Sequence, residues 1–318
     1  MTSLKDLAKN LRGESLVAII CHIRPDGDAL GSAVALKNAL SEIGVTAHAF
    51  CDDTVPEKFD FIIRSEDILN TPLKENYSAL IAVDCADVSR LGEYANDFLS
   101  HKNTFNIDHH LSNNSYAKYN YVIENPSNAL NIFDIIKELG APISVKTANL
   151  LQMGIMTDTG NFTHQDVGSR AHIVTAELIE KGANLNEIYF NTFKRQTKAR
   201  AKVFGIVMGK LRYFHNDRLC IATVFEKDMA DAGMHPSETE GFVDFIMGID
   251  GVEVGACVME MGKDKYKISL RSKGVNVNAV ASSFGGGGHF LASGCQINSE
   301  YEDVIDKLSF AVSRELID

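Results

Sequence analysis

Six side chains in the first half of the chain, His22, Asp26, Asp28, Asp84, His109 and Asp158, offer the oxygen and imidazole donors that hard to borderline divalent ions prefer. Each stands at or just past the end of an apolar segment. LVAIIC (16–21) runs into His22 and Arg-Pro-Asp-Gly-Asp, ALIAV (79–83) ends in Asp84, TFNI (104–107) ends in Asp108-His109-His110, and NLLQMGIM (149–156) is followed by Asp158. One such ending is an ordinary strand-to-turn junction; four that converge make a site. The donor set has no thiolate, which suits manganese better than structural zinc, and six ligands exceed what one ion with an open position uses. A carboxylate shared by two ions accounts for the number, and Asp84, ending a strand expected to be central, is the predicted bridge. Two ions roughly 3.5–4 Å apart hold hydroxide between them and polarise a phosphoryl oxygen, so phosphoester hydrolysis is the predicted reaction class.

Adjacent residues of a continuing strand point to opposite faces, so the three residues of Asp108-His109-His110 receive different tasks. His109 is assigned to metal. His110 is assigned to the scissile phosphate, as charge stabiliser or proton donor, and Asp108 to orienting an imidazole. In the second half, Ser269-Leu270-Arg271-Ser272-Lys273 precedes Phe284-Gly285-Gly286-Gly287-Gly288-His289. Arg271 suits bidentate phosphate capture, and bare glycine amides beside His289 can form an anion-binding nest. No GxxxxGK[ST] is present, which excludes a P-loop nucleotidase.

The elements that must position these groups read as α/β. Up to about residue 190, strand-like and helix-like segments alternate, which predicts a parallel sheet with helices on both faces and ligands beyond the carboxyl ends of its strands. Pro25 and Gly27 are expected to bar a helix, so that Asp26 and Asp28 come from a tight turn. Residues 191–215 read as a basic linker helix, with seven basic and no acidic residues between 191 and 212. Residues 216–318 read as a smaller mixed α/β domain.

A length of 318 residues favours two domains, and 45% hydrophobic with 23% charged residues is an ordinary globular balance. No apolar run approaches the ~20 residues of a membrane span and no signal-peptide core is visible, so the cytoplasm is the expected location. The net charge of -11 argues against a broad polyanion-binding surface and leaves phosphate recognition to metal and a few placed basic residues. Six cysteines lie scattered without a CxxC pair, as buried apolar side chains in a reducing compartment would.

With HxxxDxD at 22–28, VDC at 83–85, DHH at 108–110, GIMTDTG at 154–160, SLRSK at 269–273 and FGGGGH at 284–289, the chain resembles the DHH phosphoesterase superfamily, and within it the DHH/DHHA1 proteins of the NrnA type. The resemblance implies a two-manganese site in a cleft between an N-terminal DHH domain (1–190) and a C-terminal DHHA1 domain (216–318). His22, Asp26 and Asp84 would hold one ion, and Asp28, Asp84, His109 and Asp158 the other. His110 would meet the scissile phosphate, while Arg271 and Gly286, Gly287, Gly288 and His289 would bind the rest of the nucleotide. The implied substrates are short single-stranded RNA, cleaved to nucleoside 5'-monophosphates, and small phosphorylated nucleotides such as 3'-phosphoadenosine-5'-phosphate (pAp). A linear or cyclic dinucleotide phosphodiesterase and a nucleotide-binding regulator with idle metals are the alternatives, and a homodimer is compatible with the reading. Two positions depart from the family pattern: Asn125-Pro-Ser127-Asn-Ala-Leu stands where a Ser/Ser/Thr run followed by an acid is usual, and Phe290 where Lys is usual.

Overall fold

Residues Leu16–Cys21 (β1) are buried along almost their whole length because the strand lies inside a sheet with apolar layers on both faces. Val17, Ile19 and Cys21 enter one core and Ala18 and Ile20 the other, the period-two alternation of an extended chain. The structure is a computed structural model describing residues 1–316, and the chain divides into two units, Met1–Arg195 and Gln196–Asp318.

In the first unit, α1 (Leu4–Arg12) precedes β1, then α2 (Gly27–Glu42), β2 (Thr46–Phe50), β3 (Ala79–Val83), α3 (Ala95–Ser100), β4 (Thr104–Asp108) and β5 (Tyr119–Val122). Four helices follow: α4 (Asn128–Glu138), α5 (Val145–Asp158), α6 (Ser169–Glu180) and α7 (Leu185–Tyr189). The sheet is wholly parallel, in the order β2-β1-β3-β4-β5. The larger core packs α1, α2, α4, α5 and α6 against one face; the other face carries an aromatic layer of Phe50, Tyr77, Tyr94 and Phe98. Each such buried side chain contributes about 1.5–3 kcal/mol relative to exposure.

The expectation that Gly27 bars a helix is corrected. Asp26 is the N-cap of α2, its Oδ1 accepting from the backbone N–H groups of Asp28 and Ala29 at 3.0 Å, so the helix starts at Gly27 itself. Glycine is required there by contact with α5: a Cβ on Gly27 would lie 2.5 Å from Thr157 Cγ2, and one on Gly31 2.5 Å from the Leu150 carbonyl oxygen. Two helices can approach this closely only over such positions.

The second unit comprises α8 (Lys198–Met208), β6 (Arg212–Phe214), β7 (Leu219–Val224), α9 (Glu226–Ala232), α10 (Phe242–Met247), β8 (Val254–Glu260), β9 (Lys265–Ser272), α11 (Val277–Ser282), β10 (Gly287–His289), β11 (Ala292–Asn298) and α12 (Tyr301–Ser313). Its mixed sheet runs β10-β11-β9-β8-β7-β6, with β7 and β8 parallel and the other pairs antiparallel. Helices α11 and α12 cover one face, and α8, α9 and α10 pack on the other. The basic stretch is not one linker helix. A π-helical turn at Phe190–Lys194 ends the first unit, and α8, capped by Thr197, buries Val203 and Val207 in the second unit's core. Arg200 lends its charge to structure, donating to the carbonyls of Glu238 and Glu240 at 2.8 Å. All six cysteines are buried and form no disulfide, and among the described residues no helix is long and apolar enough to cross a membrane.

Candidate metal centre

Strands β1, β3 and β4 are neighbours in the sheet, and the residues directly after or at their carboxyl ends are His22, Asp84 and Asp108-His109-His110. Parallel order therefore brings to one edge side chains that are up to 88 positions apart in the sequence (22 to 110). Helix α2 supplies Asp26 from its cap and Asp28 from its first turn, and α5, packed on α2, ends in Asp158. Gly154 of α5 leaves the room that Asp28 occupies, since a Cβ there would come within 2.6 Å of Asp28 Oδ1.

The two oxygens of Asp84 face different imidazoles. Oδ2 is 3.5 Å from His22 Nε2, which is itself 3.9 Å from Asp26 Oδ2. Oδ1 is 3.2 Å from His109 Nε2, which lies 3.4 Å from Asp158 Oδ2. His22 with Asp26 and Asp84, and Asp28 with His109 and Asp158, each gather donor atoms within 4.8 Å of one another. Asp84, Asp108, His109 and His110 form a third such group. All six residues expected as ligands are thus brought together.

Each imidazole is oriented from behind. His22 Nδ1 is 2.8 Å from the Ile23 carbonyl, His109 Nδ1 2.8 Å from the Asn125 carbonyl, and His110 Nδ1 2.8 Å from Asp108 Oδ1. Where Nδ1 donates to a backbone carbonyl, as His109 can to Asn125, loss of the ring's other proton to a cation leaves Nε2 the lone pair a metal ligand needs. His110 does not face away from its neighbour: β4 ends at Asp108, the chain turns, and the two imidazoles sit 4.4 Å apart between ring centroids.

Among the described residues, Asp84 Oδ1 and His109 Nε2 are buried and make no hydrogen bond. Orphaned buried polar atoms of this kind, in an all-oxygen and imidazole donor set, fit divalent cations. The charges agree. Burial and the charges of Asp28, Asp84 and Asp26 push the Asp158 carboxyl up to about 10, and burial with the charge of Asp84 pushes Asp28 up to about 7. Burial would raise Asp84 too, but the imidazoles of His109 and His22 hold it well below the carboxylate range. For His109 burial works downward, yet Asp84 and Asp28 lift it to about 10. A pocket with this many like charges holds protons until cations replace them.

Several functional neighbours escaped the sequence reading. Asp28 accepts from the backbone N–H groups of Asn128 (2.5 Å) and Ala129 (2.8 Å) at the start of α4, and from Ser127 Oγ (3.3 Å). Asn131 donates to the carbonyls of Asp108 (3.1 Å) and Ile123 (2.9 Å), and accepts from Asn125 (2.7 Å), whose own carbonyl holds His109. Asn113 donates to Asp108 Oδ2 at 2.5 Å. A guanidinium nitrogen of Arg90 lies 3.0 Å from His22 Nδ1. The one available signal was Asn125-Pro-Ser127-Asn, a polar run just ahead of a helix.

In the second unit Arg271 is half-exposed on β9, its Nε 3.3 Å from Asp244 Oδ1 and its Nη1 donating to the Leu270 carbonyl at 3.1 Å. The glycine run separates by role. A Cβ on Gly286 would meet the Gly294 carbonyl oxygen at 2.2 Å, and Gly288, at φ +149°, would meet that of Ala292 at 2.6 Å. Those two serve the close packing of β11. Gly287 has nothing nearer than Asn278 Oδ1 at 3.8 Å and an ordinary φ, so the fold places no such demand on it. His289 is exposed at the end of β10.

A parallel sheet with acids and imidazoles at its carboxyl edge, followed by a mixed sheet bearing Arg271 and the glycine run, defines a class. The family model "DHH family, N-terminal domain" matches residues 16–155 and "DHHA1 domain" matches residues 216–317. The chain belongs to the DHH superfamily of metal-dependent phosphoesterases, in its DHH/DHHA1 branch. It is 29% identical over 311 residues to the "Bifunctional oligoribonuclease and PAP phosphatase NrnA" of Thermus thermophilus, covering 95% of this chain and 91% of that protein. The protein of the same name in Bacillus subtilis is 27% identical over 286 residues, covering 87% and 88%. In fold, an exopolyphosphatase-related protein from Bacteroides fragilis superposes with a TM-score of 0.85 at 23% identity, over 98% of this chain and 96% of that one.

Proposed function

We propose that the chain is a two-manganese phosphoesterase that cleaves short oligoribonucleotides to nucleoside 5'-monophosphates and releases phosphate from pAp. The observation that carries the reading is the placement of Asp84, with one oxygen toward His22 and Asp26 and the other toward His109 and Asp158. His22, Asp26 and Asp84 are assigned to one ion, and Asp28, Asp84, His109 and Asp158 to the other. Bound divalent ions supply water activation and neutralisation of phosphoryl charge.

The chain's own groups provide the rest. His110, with its side chain 34% exposed and Nδ1 held by Asp108, directs Nε2 outward, where it can hydrogen-bond a phosphoryl oxygen or pass a proton to the leaving oxygen. Asp108 is buried, held by Asn113 on its other oxygen, and acts through His110. Arg271 and the amide of Gly287 are assigned to the remainder of the nucleotide. The names of the Thermus and Bacillus relatives, which cover most of this chain, support both substrates.

The test is purified protein with manganese against pAp, the dinucleotide pApA, a pentanucleotide RNA and cyclic di-AMP, with products resolved by chromatography. Phosphate from pAp and 5'-mononucleotides from the RNA are expected. Turnover of cyclic di-AMP alone would replace the reading with a cyclic-dinucleotide phosphodiesterase, and binding without turnover of any substrate would leave a nucleotide-binding regulator.

A further inference from the structure

Strand β9 carries a polar row that the metal centre does not use. Lys267, Ser269 and Arg271 alternate along it, with Ile268 and Leu270 buried between them in the core under α11 and α12. The row therefore points to the opposite face, the one on which α8, α9 and α10 pack. Those helices cover β7 and β8: Cys257 and Met259 of β8, in register with Ser269 and Lys267, are buried in their core. Over β9 and its next neighbour β11 the cover ends. Lys267 and Gln296, paired across these two strands, are both exposed, and Gly294, paired with Ser269, adds no side chain.

The bare strip is concave on both sides of the row. A cavity of about 240 Å³ lies toward α10, and another of about 490 Å³ lies toward β11 and Gly286; Lys267 and Ser269 line both. The acids of the first cavity are Asp244 of α10 and Glu240 of the turn before it, and Asp244 is taken up by Arg271. Among the described residues Lys267 makes no hydrogen bond or ion pair, so it is an uncompensated cation between two hollows in a chain of net charge -11. Strand geometry separates it from Arg271 by roughly 13 Å, four residues at about 3.3 Å each. An anion long enough to engage both carries charge repeatedly along a backbone.

We propose that Lys267 with Ser269 forms a subsite for an additional backbone phosphate of a single-stranded oligonucleotide, so that the row from Arg271 to Lys267 sets the response to substrate length. This rests on the phosphoesterase reading above. pAp carries only two phosphates, too few to engage Lys267 as well as the groups assigned above. A pentanucleotide fills the subsite.

The test compares wild type with Lys267→Gln in two assays. In manganese, KM for a pentanucleotide RNA is expected to rise about three- to tenfold while KM and kcat for pAp stay unchanged. In EDTA, the salt dependence of binding a fluorescent pentanucleotide is expected to weaken by about 0.7 in log–log slope, one phosphate contact on a single strand. Equal losses on both substrates, or no change in either assay, overturns the subsite. Wild type that cleaves neither substrate defeats the phosphoesterase reading instead, and the salt-slope comparison then still decides whether Lys267 binds phosphate.

Discussion

Asp84 Oδ1 and His109 Nε2 stand 3.2 Å apart inside the first unit, and neither takes part in a hydrogen bond. An unpaired buried polar atom costs about 1–3 kcal/mol. The backbone of Asp84 adds to this, since its φ of 54° is left-handed, a conformation that costs a residue other than glycine on the order of 1–3 kcal/mol. Backbone strain and an unsatisfied acceptor at one residue mark a position kept for chemistry rather than for stability.

Replacement of that residue separates the two. Asp84→Asn keeps the shape, and Asn tolerates the left-handed backbone. Turnover of pAp and of RNA is expected to fall by a factor on the order of a thousand or more, about 4 kcal/mol of lost charge stabilisation. The metal-free variant should still melt cooperatively, at a temperature lowered only by loss of the Asp84 charge beside His22 and His109. Steady-state kinetics and thermal melting in EDTA measure both, and near-normal turnover would remove Asp84 from the centre.

Stability of the metal-free protein should fall as pH rises from about 6.5 to 10. His109 titrates at about 10 when folded against 6.5 ordinarily, so its stabilisation is complete below 6.5 and is lost as pH rises through 10. Asp158, lifted from 3.8 to about 10, is favoured in the neutral form, so its ionisation opposes folding over the same interval. Both act in one direction. Manganese takes the deprotonated donors, so the gain in Tm on adding it should be larger near pH 8.5 than near pH 6.5. Melting curves in EDTA and in manganese at the two pH values test this, and a gain that shrinks with pH contradicts it.

Asp108 lies within reach of a metal group yet is assigned to His110. Asp108→Asn should lower kcat by a factor on the order of 10–100, the usual effect of losing a partner that orients a catalytic imidazole. It should leave the manganese-induced rise in Tm intact. Loss of that rise would make Asp108 a ligand instead.

The glycine run offers a split between folding and binding. Gly286→Ala drives a methyl group into the β11 backbone and should cost about 1–3 kcal/mol, read as a lower urea midpoint. Gly287→Ala meets only Asn278 Oδ1 at an ordinary 3.8 Å and should leave the midpoint unchanged while raising KM for pAp severalfold. A Gly287→Ala enzyme with wild-type KM would show that no substrate group approaches that amide.

The parallel sheet and the acids and imidazoles at its edge were legible in the sequence because each strand is a continuous apolar run that stops at a polar residue. His22, Asp84 and His109 follow directly from that pattern. The helical start at Gly27 was not legible, because glycine there answers to Thr157 on a distant helix rather than to local propensity. Ser127 and Asn131 escaped for the same reason: Ser127 reaches Asp28 across 99 residues, and Asn131 acts through Asn125 on His109. The basic stretch after residue 191 misled because charge on a helix reports the solvent side, while Val203 and Val207 decide where the helix packs.

Manganese bound per chain at equilibrium dialysis tests the central claim most directly, wild type beside Asp84→Asn. A shared carboxylate predicts two ions per wild-type chain and a marked loss of both in the variant, because each group of ligands includes that side chain. A wild-type chain that binds one ion or none, or a variant that still binds two, contradicts the account.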